Sequence, residues 1–266
     1  MLIDFQDRET VQRRSPLRIA HRGGVVTSAS PENSLSAIQL AAADGYDLVE
    51  LDVVVAKDDE PVLFHGIGPQ RSLRGTSGGN APVAAFTSQQ LAGIRYDESD
   101  ERIAMLDEAL ALCWSLGLGI MLDIKLASGE SLRRRGIERI AALITGHGLA
   151  TAAMCITPDP LVRRVLPREV LFPVPQDVID RIVAGEAHRL HHTFWFGIPA
   201  ELPEAAIGPL QKAGALVIPA INRHRYPEDG HESLAREDIR RLLAAGVDGF
   251  QIDSVYRSEL PARSGE

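Results

Sequence analysis

Residues 48–55 read LVELDVVV, a valine-rich apolar run that carries two acidic residues. A run this short and apolar is typical of a β-strand that is covered on both faces, as the strands of a parallel sheet are. Glu50 and Asp52 lie two positions apart, so both carboxylates point to the same side of the strand. Residues 119–125, GIMLDIK, have the same character, and Asp123 stands inside them. The two stretches therefore predict buried strands that carry charge.

Helical patterns separate a series of such strands along the chain. The expected strands are residues 17–23, 48–55, 119–125, 152–157, 170–174, 192–197, 215–222 and 249–254. Alternation of this kind predicts βαβ units of the α/β class, and right-handed crossovers would close eight of them into a (β/α)8 TIM barrel. A doubly wound open sheet is the alternative, but no glycine-rich phosphate-binding fingerprint follows the first strand. Asn33 is the expected N-cap of the first helix after that strand.

One long stretch interrupts this alternation. Residues 66–104 follow a short hairpin strand, PVLF at 61–64, and lie between the second strand and its helix. A connection of this length is usually functional or an inserted subdomain. We therefore expect a single TIM-barrel domain over residues 17–257, with an insertion at 66–104.

Composition argues against several classes of protein. The 266 residues carry a net charge of −8, which argues against a nucleic-acid binder because such proteins show a basic footprint. The two cysteines lie in apolar stretches and are expected to be reduced core thiols. The N-terminal segment lacks the apolar region of a signal peptide, and no run approaches the roughly 18 apolar residues of a membrane span. The sequence thus predicts a cytoplasmic protein without stable membrane insertion, and it leaves the oligomeric state open.

Three carboxylates are expected to point into the barrel: Glu50, Asp52 and Asp123. Like charges that are buried together repel each other and lose hydration, so such a group needs a cation or a shared proton. Oxygen ligands without a thiolate or an obvious histidine favour Mg²⁺ or Ca²⁺ over zinc. The alternative is a structural ion network in which the acidic residues pair with Arg22 or Lys125.

Two histidines are expected beside these carboxylates. His21 ends the first strand, and His65 ends the hairpin strand after the second. A barrel brings the ends of neighbouring strands together at one rim, so both rings would approach the metal from the same side. Cleavage of a phosphodiester needs a base for the attacking oxygen and an acid for the leaving oxygen, and histidine suits both tasks near neutral pH. Arg22 and Lys125 would neutralise the phosphate.

Short motifs follow one another along the chain in a fixed order. They are HRG at 21–23, PENS at 31–34, ELDV at 50–53, KDDEPVLFH at 57–65, RSLRGTSG at 71–78, LDEAL at 106–110, DIK at 123–125, PAIN at 219–222 and GVDGFQIDS at 246–254. The combination resembles the glycerophosphodiester phosphodiesterase family over about residues 17–257. The resemblance implies a metal-dependent phosphoric diester hydrolase whose substrate joins glycerol to an alcohol. It also implies that His21 and His65 are the acid and the base, and that the substrate's own neighbouring hydroxyl attacks first to give a cyclic phosphate.

Some positions depart from the family pattern. Gly66 follows the second histidine where the family usually has aspartate, and Asp123 stands where it usually has glutamate. Pro219 replaces a tryptophan, so an aromatic wall for the substrate is expected from residues 194–196, and Trp195 is the candidate within them. The Asp-x-Lys pattern at Asp123 is similar to that of sphingomyelinase D-type enzymes.

A basic loop after the seventh strand supplies further candidates for substrate contact. Asn222 and Arg223 begin this loop, and loops at this place in a barrel commonly bind phosphate. Arg223 or Arg225 would contact a second anionic group on the substrate. The alternative is a solvated loop without a role in binding.

The sequence leaves other functions open beside hydrolysis of a small glycerophosphodiester. One is a lyase of the sphingomyelinase D or phospholipase D type that acts on lipid head groups. A second is a hydrolase of a sugar phosphodiester, and a third is a barrel that binds its ligand without turnover. Each of these functions predicts that the protein binds a phosphodiester and no nucleic acid.

Overall fold

The backbone alternates between strands and helices. The strands are β1 Leu17–Ala20, β2 Leu48–Val55, β3 Pro61–Leu63, β4 Gly119–Ile124, β5 Ala153–Cys155, β6 Phe172–Pro173, β7 Thr193–Gly197, β8 Leu216–Ile221 and β9 Gly249–Ile252. The helices are α1 Arg8–Gln12, α2 Leu35–Ala43, α3 Ser88–Leu91, α4 Leu106–Leu116, α5 Glu130–Gly146, α6 Pro160–Val165, α7 Gln176–Val183, α8 Glu204–Ala213 and α9 His231–Ala244. The structure is a computed structural model, and it describes residues 2–24, 26–66, 71–126 and 130–262, without the side chains of 130–133. Within these residues, no helix combines the length and apolarity that crossing a bilayer requires.

The strands other than β3 are parallel and form a nearly closed ring. Their order is β5-β4-β2-β1-β9-β8-β7-β6, and a parallel bridge between Met154 and Leu171 joins the two ends of this series. Strand β3 pairs with β2 in the antiparallel direction. Helices connect the parallel strands. The predicted (β/α)8 TIM barrel is therefore confirmed.

Two apolar clusters stabilise the fold. The larger one combines residues of the barrel strands with residues of the helices packed around them. The smaller one joins the insertion to β2 and β3, and it contains Val54, Phe64, Leu73 and Tyr96. The insertion thus has a small core of its own, next to the strand pair that leads to His65.

The parallel arrangement brings the functional candidates to one rim of the barrel. The register of β2 and β4 places Asp52 directly beside Asp123. Strand β9 pairs in parallel with β1, so His21 and Asp253, which follow these strands, are neighbours. The C-terminal rim is the face where barrel enzymes place their active sites.

Asn33 does not cap α2, and that prediction is wrong. Ser34 is the N-cap, and its hydroxyl accepts a hydrogen bond of 3.1 Å from the N–H of Ala37. Asn33 instead has a positive φ of 61°, and its side-chain amide donates to Asp52 Oδ2 at 3.0 Å while accepting from the Asp52 N–H at 2.9 Å. An unpaired buried carboxylate or N–H is costly, so Asn33 pairs with Asp52 while Ser34, which is also buried, takes the cap position.

Candidate active site

Three carboxylates from two adjacent strands converge at the C-terminal rim. Oxygen atoms of Glu50, Asp52 and Asp123 all lie within 4.8 Å of one another. The side chains of Glu50 and Asp52 are each only 2% exposed. The group contains no sulfur or imidazole ligand. A set of oxygen donors is what Mg²⁺ and Ca²⁺ prefer in proteins.

Two basic side chains contact the carboxylate Asp52. Lys125 Nζ lies 2.9 Å from Asp52 Oδ1 and also contacts Asp123 Oδ2. Arg22 Nε lies 3.4 Å from Asp52 Oδ2. Burial opposes ionisation of Asp52, but the charges of Lys125 and Arg22 outweigh it and lower the pKa of this carboxyl. Asp52 is therefore ionised in the folded protein at neutral pH.

Glu50 is in a different electrostatic situation from its neighbour. Burial raises the pKa of Glu50 well above its usual range, and the charge of Asp52 raises it further. The backbone N–H of Arg22, which donates to Glu50 Oε2 at 2.9 Å, offsets only part of this effect. A carboxylate so poorly compensated needs a further positive charge, so the three carboxylates fit a divalent cation.

Arg22 lies in a strained turn, and its guanidinium contacts two acidic residues, Glu32 and Asp52. The residue has a left-handed φ of 52° in the turn that follows β1. Its guanidinium donates to Glu32 Oε2 at 2.7 Å, while its Nε faces Asp52. A non-glycine residue persists in this conformation only where its surroundings hold it there. The bonds from the Arg22 side chain and backbone to the acidic residues supply that restraint.

His21 is oriented by a carboxylate from the opposite end of the chain. Its Nδ1 lies 2.6 Å from Asp253 Oδ1, and its Nε2 lies 4.0 Å from Glu50 Oε2. Burial opposes ionisation of Asp253, but the hydrogen bond and charge of His21 outweigh it and lower the pKa of Asp253. The backbone N–H of Arg223 also donates to Asp253, at 2.6 Å. The Nδ1 contact directs the other ring nitrogen of His21 toward the carboxylates.

His65 lies on the insertion side of the same group. It follows β3, and partial burial lowers the pKa of its ring, with the charge of Asp52 acting in the opposite sense. The lowered pKa leaves the imidazole neutral near pH 7, with one ring nitrogen free to accept a proton. The two predicted histidines thus have different surroundings: Asp253 fixes the ring of His21, while His65 is partly buried and influenced by the charge of Asp52.

Gly66 adopts a backbone conformation that favours glycine. Its φ is +65°, and a Cβ at this position would lie 2.8 Å from the Cα of Arg71. We expect Gly66→Asp, which restores the usual family residue, to lower the free energy of unfolding by about 1–3 kcal/mol in urea denaturation. Gly75→Asp is the matched control, because Gly75 has a φ of +87° but nothing within 4 Å of an added Cβ. Equal losses in the two variants would contradict a role for the contact with Arg71.

An open cleft of about 760 Å³ adjoins His21, between the loops that follow β1, β8 and β9. Arg22, Arg223 and Asp253 line it together with His21. His224 lines it as well, and the ring centroids of His21 and His224 are 6.0 Å apart. The cleft is large enough for a small organic diester.

The other two residues predicted to contact substrate are buried. Asn222 follows β8, and its side-chain Nδ2 has no hydrogen-bond partner among the described residues. Trp195 is 6% exposed and belongs to the main core cluster; the residues that line the cleft do not include it. Its contact with substrate stays a prediction.

Sequence reasoning assigned no role to Asp253 or His224, although both line the cleft. Asp253 had a recognisable signal, because GFQID at 249–253 repeats the pattern of GIMLD at 119–123, in which a mostly apolar run that begins with glycine leads to an aspartate. His224 had none, since a histidine in a loop of arginines and prolines is most often solvated.

Comparisons with known proteins place residues 21–149 in the glycerophosphoryl diester phosphodiesterase family. Glycerophosphodiester phosphodiesterase 1 of Homo sapiens is 36% identical over 115 residues, which are 40% of this chain and 33% of that protein. The chain thus matches about a third of the length of this relative. A glycerophosphodiester phosphodiesterase of Caldanaerobacter subterraneus is 27% identical over 252 residues, which cover 89% of this chain and 93% of the relative.

Solved structures share the fold over nearly the whole chain. A phosphodiesterase of Oleispira antarctica, solved with the product sn-glycerol-3-phosphate, has a TM-score of 0.69 and 21% identity, and the match covers 94% of this chain and 98% of that one. A glycerophosphoryl diester phosphodiesterase of Parabacteroides distasonis has a TM-score of 0.70 and 20% identity, with 99% and 96% covered. At such identities the likeness concerns the fold. The family match over residues 21–149 and the named relatives therefore make this chain similar to the glycerophosphodiester phosphodiesterases.

Proposed function

We propose that this protein hydrolyses a glycerophosphodiester-like small molecule with the help of a divalent cation, and that residues 17–257 act as one phosphodiesterase domain. The observation that carries the proposal is the group of buried carboxylates beside His21 and its partner Asp253. The names of the relatives support a substrate of this class. So does the product bound to the Oleispira antarctica phosphodiesterase.

Glu50, Asp52 and Asp123 would hold the cation. Their oxygen donors suit Mg²⁺ or Ca²⁺, and a cation would remove the unfavourable burial of charge that raises the pKa of Glu50. A bound divalent cation supplies neutralisation of the phosphate charge and withdrawal of electrons from phosphorus. The chain's own residues are left with binding, orientation and proton transfer.

The two histidines would transfer the protons. We assign His65 as the base that takes the proton from the attacking hydroxyl, because its lowered pKa keeps the ring neutral near pH 7. We assign His21 as the acid that protonates the leaving alcohol oxygen, with Asp253 fixing its ring. In the two-step route, a neighbouring hydroxyl of the substrate attacks phosphorus and the alcohol leaves. Water then opens the cyclic phosphate while the two rings exchange roles.

Four further side chains are proposed to bind the substrate. Arg22 and Lys125 place positive charge next to Asp52, where they would help to neutralise the phosphate. Asn222 offers a buried amide donor without a partner in the described part of the chain. Arg223 lines the cleft, where it would contact the departing half of the substrate.

An assay by ³¹P NMR against a panel of glycerophosphodiesters, sugar phosphodiesters and lysophospholipids tests the proposal. We expect glycerol phosphate and a free alcohol to form with Mg²⁺ or Ca²⁺, and EDTA to abolish the reaction. A stable cyclic phosphate as the final product would indicate a lyase instead. A higher kcat/KM on the sugar diesters than on the glycerophosphodiesters would make sugar phosphodiesters the substrate class. Binding without turnover of any diester would contradict the proposal and indicate a ligand-binding barrel.

A further inference from the structure

His224 lies beside His21 in the wall of the cleft. Both residues line the cleft, and their ring centroids are 6.0 Å apart with the ring planes at 37° to each other. His21 is the residue to which the proposed function assigns protonation of the leaving alcohol oxygen. The part of the alcohol that adjoins this oxygen would therefore lie close to the ring of His224.

The position of His224 relative to His21 is set by one carboxylate. His224 is the middle residue of a short 3-10 turn, Arg223–Arg225. At the start of this turn, the backbone N–H of Arg223 donates to Asp253 Oδ2 at 2.6 Å. The other oxygen of Asp253 lies 2.6 Å from Nδ1 of His21. Asp253 thus holds the His21 ring and the turn that carries His224 next to each other.

The ring of His224 is available to a ligand. Neither of its nitrogens is hydrogen-bonded to any residue that the structure describes, and the side chain is accessible from the cleft. Tyr226, the residue after the turn, is bound within the fold instead, because its hydroxyl donates to Asp238 Oδ2 at 3.0 Å. The turn is therefore anchored on both sides of His224, while the imidazole itself is used by neither anchor.

The chemistry of the cleft favours a neutral polar group at this place. Arg22 is paired with Glu32, while Arg223 and Glu228, which also line the cleft, carry opposite charges. Partial burial lowers the pKa of His224, and neighbouring basic groups lower it further. The ring is therefore neutral near pH 7 and offers one N–H donor and one acceptor nitrogen. A hydroxyl group, which also donates and accepts, is the complementary partner.

We propose that His224 binds the departing alcohol through a hydroxyl on the carbon next to the ester carbon, and that the protein prefers diesters whose departing alcohol carries such a hydroxyl. The inference rests on the proposed function, since it names a binding residue for the departing half of the same substrate. A hydroxyl at this place is separated from the ester oxygen by only two carbons, which suits two adjacent rings. The hydrogen bond would hold the ester oxygen toward His21.

The test compares two diesters of sn-glycerol-3-phosphate that differ in one group. The departing alcohol is ethylene glycol in the first, and in the second it is propan-1-ol, where a methyl group replaces the second hydroxyl. We expect His224→Ala to lower kcat/KM by about 3- to 10-fold on the first diester, the effect of one neutral hydrogen bond, and by less than about twofold on the second. His224→Gln keeps a side-chain donor and acceptor, so it should retain most of the activity.

His191→Ala is the control for loss of an accessible imidazole, because His191 is exposed at the opposite end of the barrel. It should leave kcat/KM unchanged on both diesters. If His224 acted only through the fold or through the orientation of His21, His224→Ala would lower kcat/KM equally on the two diesters. That result would overturn the inference, and so would an unchanged kcat/KM on the ethylene glycol diester. Cleavage of other diesters but not of this one would overturn it as well.

Failure of the wild type to cleave any diester would overturn the proposed function instead. Calorimetric titration of the wild type and of His224→Ala with the ethylene glycol diester and Mg²⁺ would then decide on His224, because binding does not require turnover. A higher Kd in the variant would support the inference. Equal Kd values, or no binding to the wild type, would overturn it.

Discussion

Replacing His21 with alanine is expected to lower kcat by about 10³-fold, within the range that a general acid or base contributes. The ring of His21 stands between Asp253 and Glu50, and its removal takes away the proposed proton donor. Asp253→Asn should lower kcat by about 10²-fold, because the ring stays in place but loses the carboxylate that fixes its tautomer and orientation. Steady-state kinetics on the best diester of the NMR panel would measure both effects.

A change of leaving group distinguishes a role of His21 as general acid from a merely structural role. A diester with p-nitrophenol as its leaving alcohol needs little protonation, so the loss in His21→Ala should be much smaller on this substrate. His191→Ala is the matched control, since His191 is exposed and precedes β7, at the opposite end of the barrel. Equal losses on both substrates, or a kcat of His21→Ala within tenfold of the wild type, would contradict the assignment.

Most of the rim could be predicted because one rule places it. Parallel strands of a barrel end at the same face, so residues at the end of each apolar run become neighbours. Glu50, Asp52 and Asp123 follow directly from this rule, since they sit inside short apolar strands where charge is costly. The same rule places His21 and Arg22 at this rim, because they directly follow β1.

The contacts that complete the site depend on closure of the barrel, which local patterns do not contain. Asp253 reaches His21 across 232 positions of sequence, and only the pairing of β9 with β1 brings them together. The sequence around Asn33 predicts a helix cap, because it does not show that Asp52 lies beside this residue in the fold.

Gly66 shows a further limit of sequence reasoning. Without the aspartate that the family usually has, the residue after His65 offers no carboxylate that could orient its ring. The structure gives a steric reason for glycine instead, namely a positive φ and the close approach of Arg71. The orientation of a histidine by a carboxylate is found at His21, through Asp253. A departure at one position of a motif therefore needs the backbone conformation before it can be interpreted.

Replacing Glu50 with glutamine is expected to have opposite effects on activity and on stability. The variant removes a ligand of the proposed cation, so kcat/KM should fall by at least about 10²-fold. In metal-free protein the same change should raise the Tm at pH 8 by about 2–4 °C, which corresponds to ~1 kcal/mol in a domain of this size. The gain is expected because glutamine keeps the acceptor for the N–H of Arg22 and removes a poorly compensated buried charge.

The dependence on pH follows from the raised pKa of Glu50. The folded protein holds a proton on Glu50 at pH values where the unfolded chain has released it, so stability is fully present below the ordinary glutamate pKa near 4.3. This contribution is lost as pH rises through the higher pKa of the folded state. Metal-free wild type should therefore lose stability over this window, and Glu50→Gln should lose less.

Calorimetry of both proteins with EDTA, and then with Mg²⁺ or Ca²⁺, would measure these effects. The cation should raise the Tm of the wild type at pH 8 and leave that of Glu50→Gln nearly unchanged. Glu237→Gln is the control for removal of a negative charge, because Glu237 is an exposed residue of α9. If metal-free Glu50→Gln were less stable than the wild type at pH 8, Glu50 would stabilise the fold without a cation. The carboxylates would then form a structural ion network with Arg22 and Lys125, which is the alternative that the sequence left open.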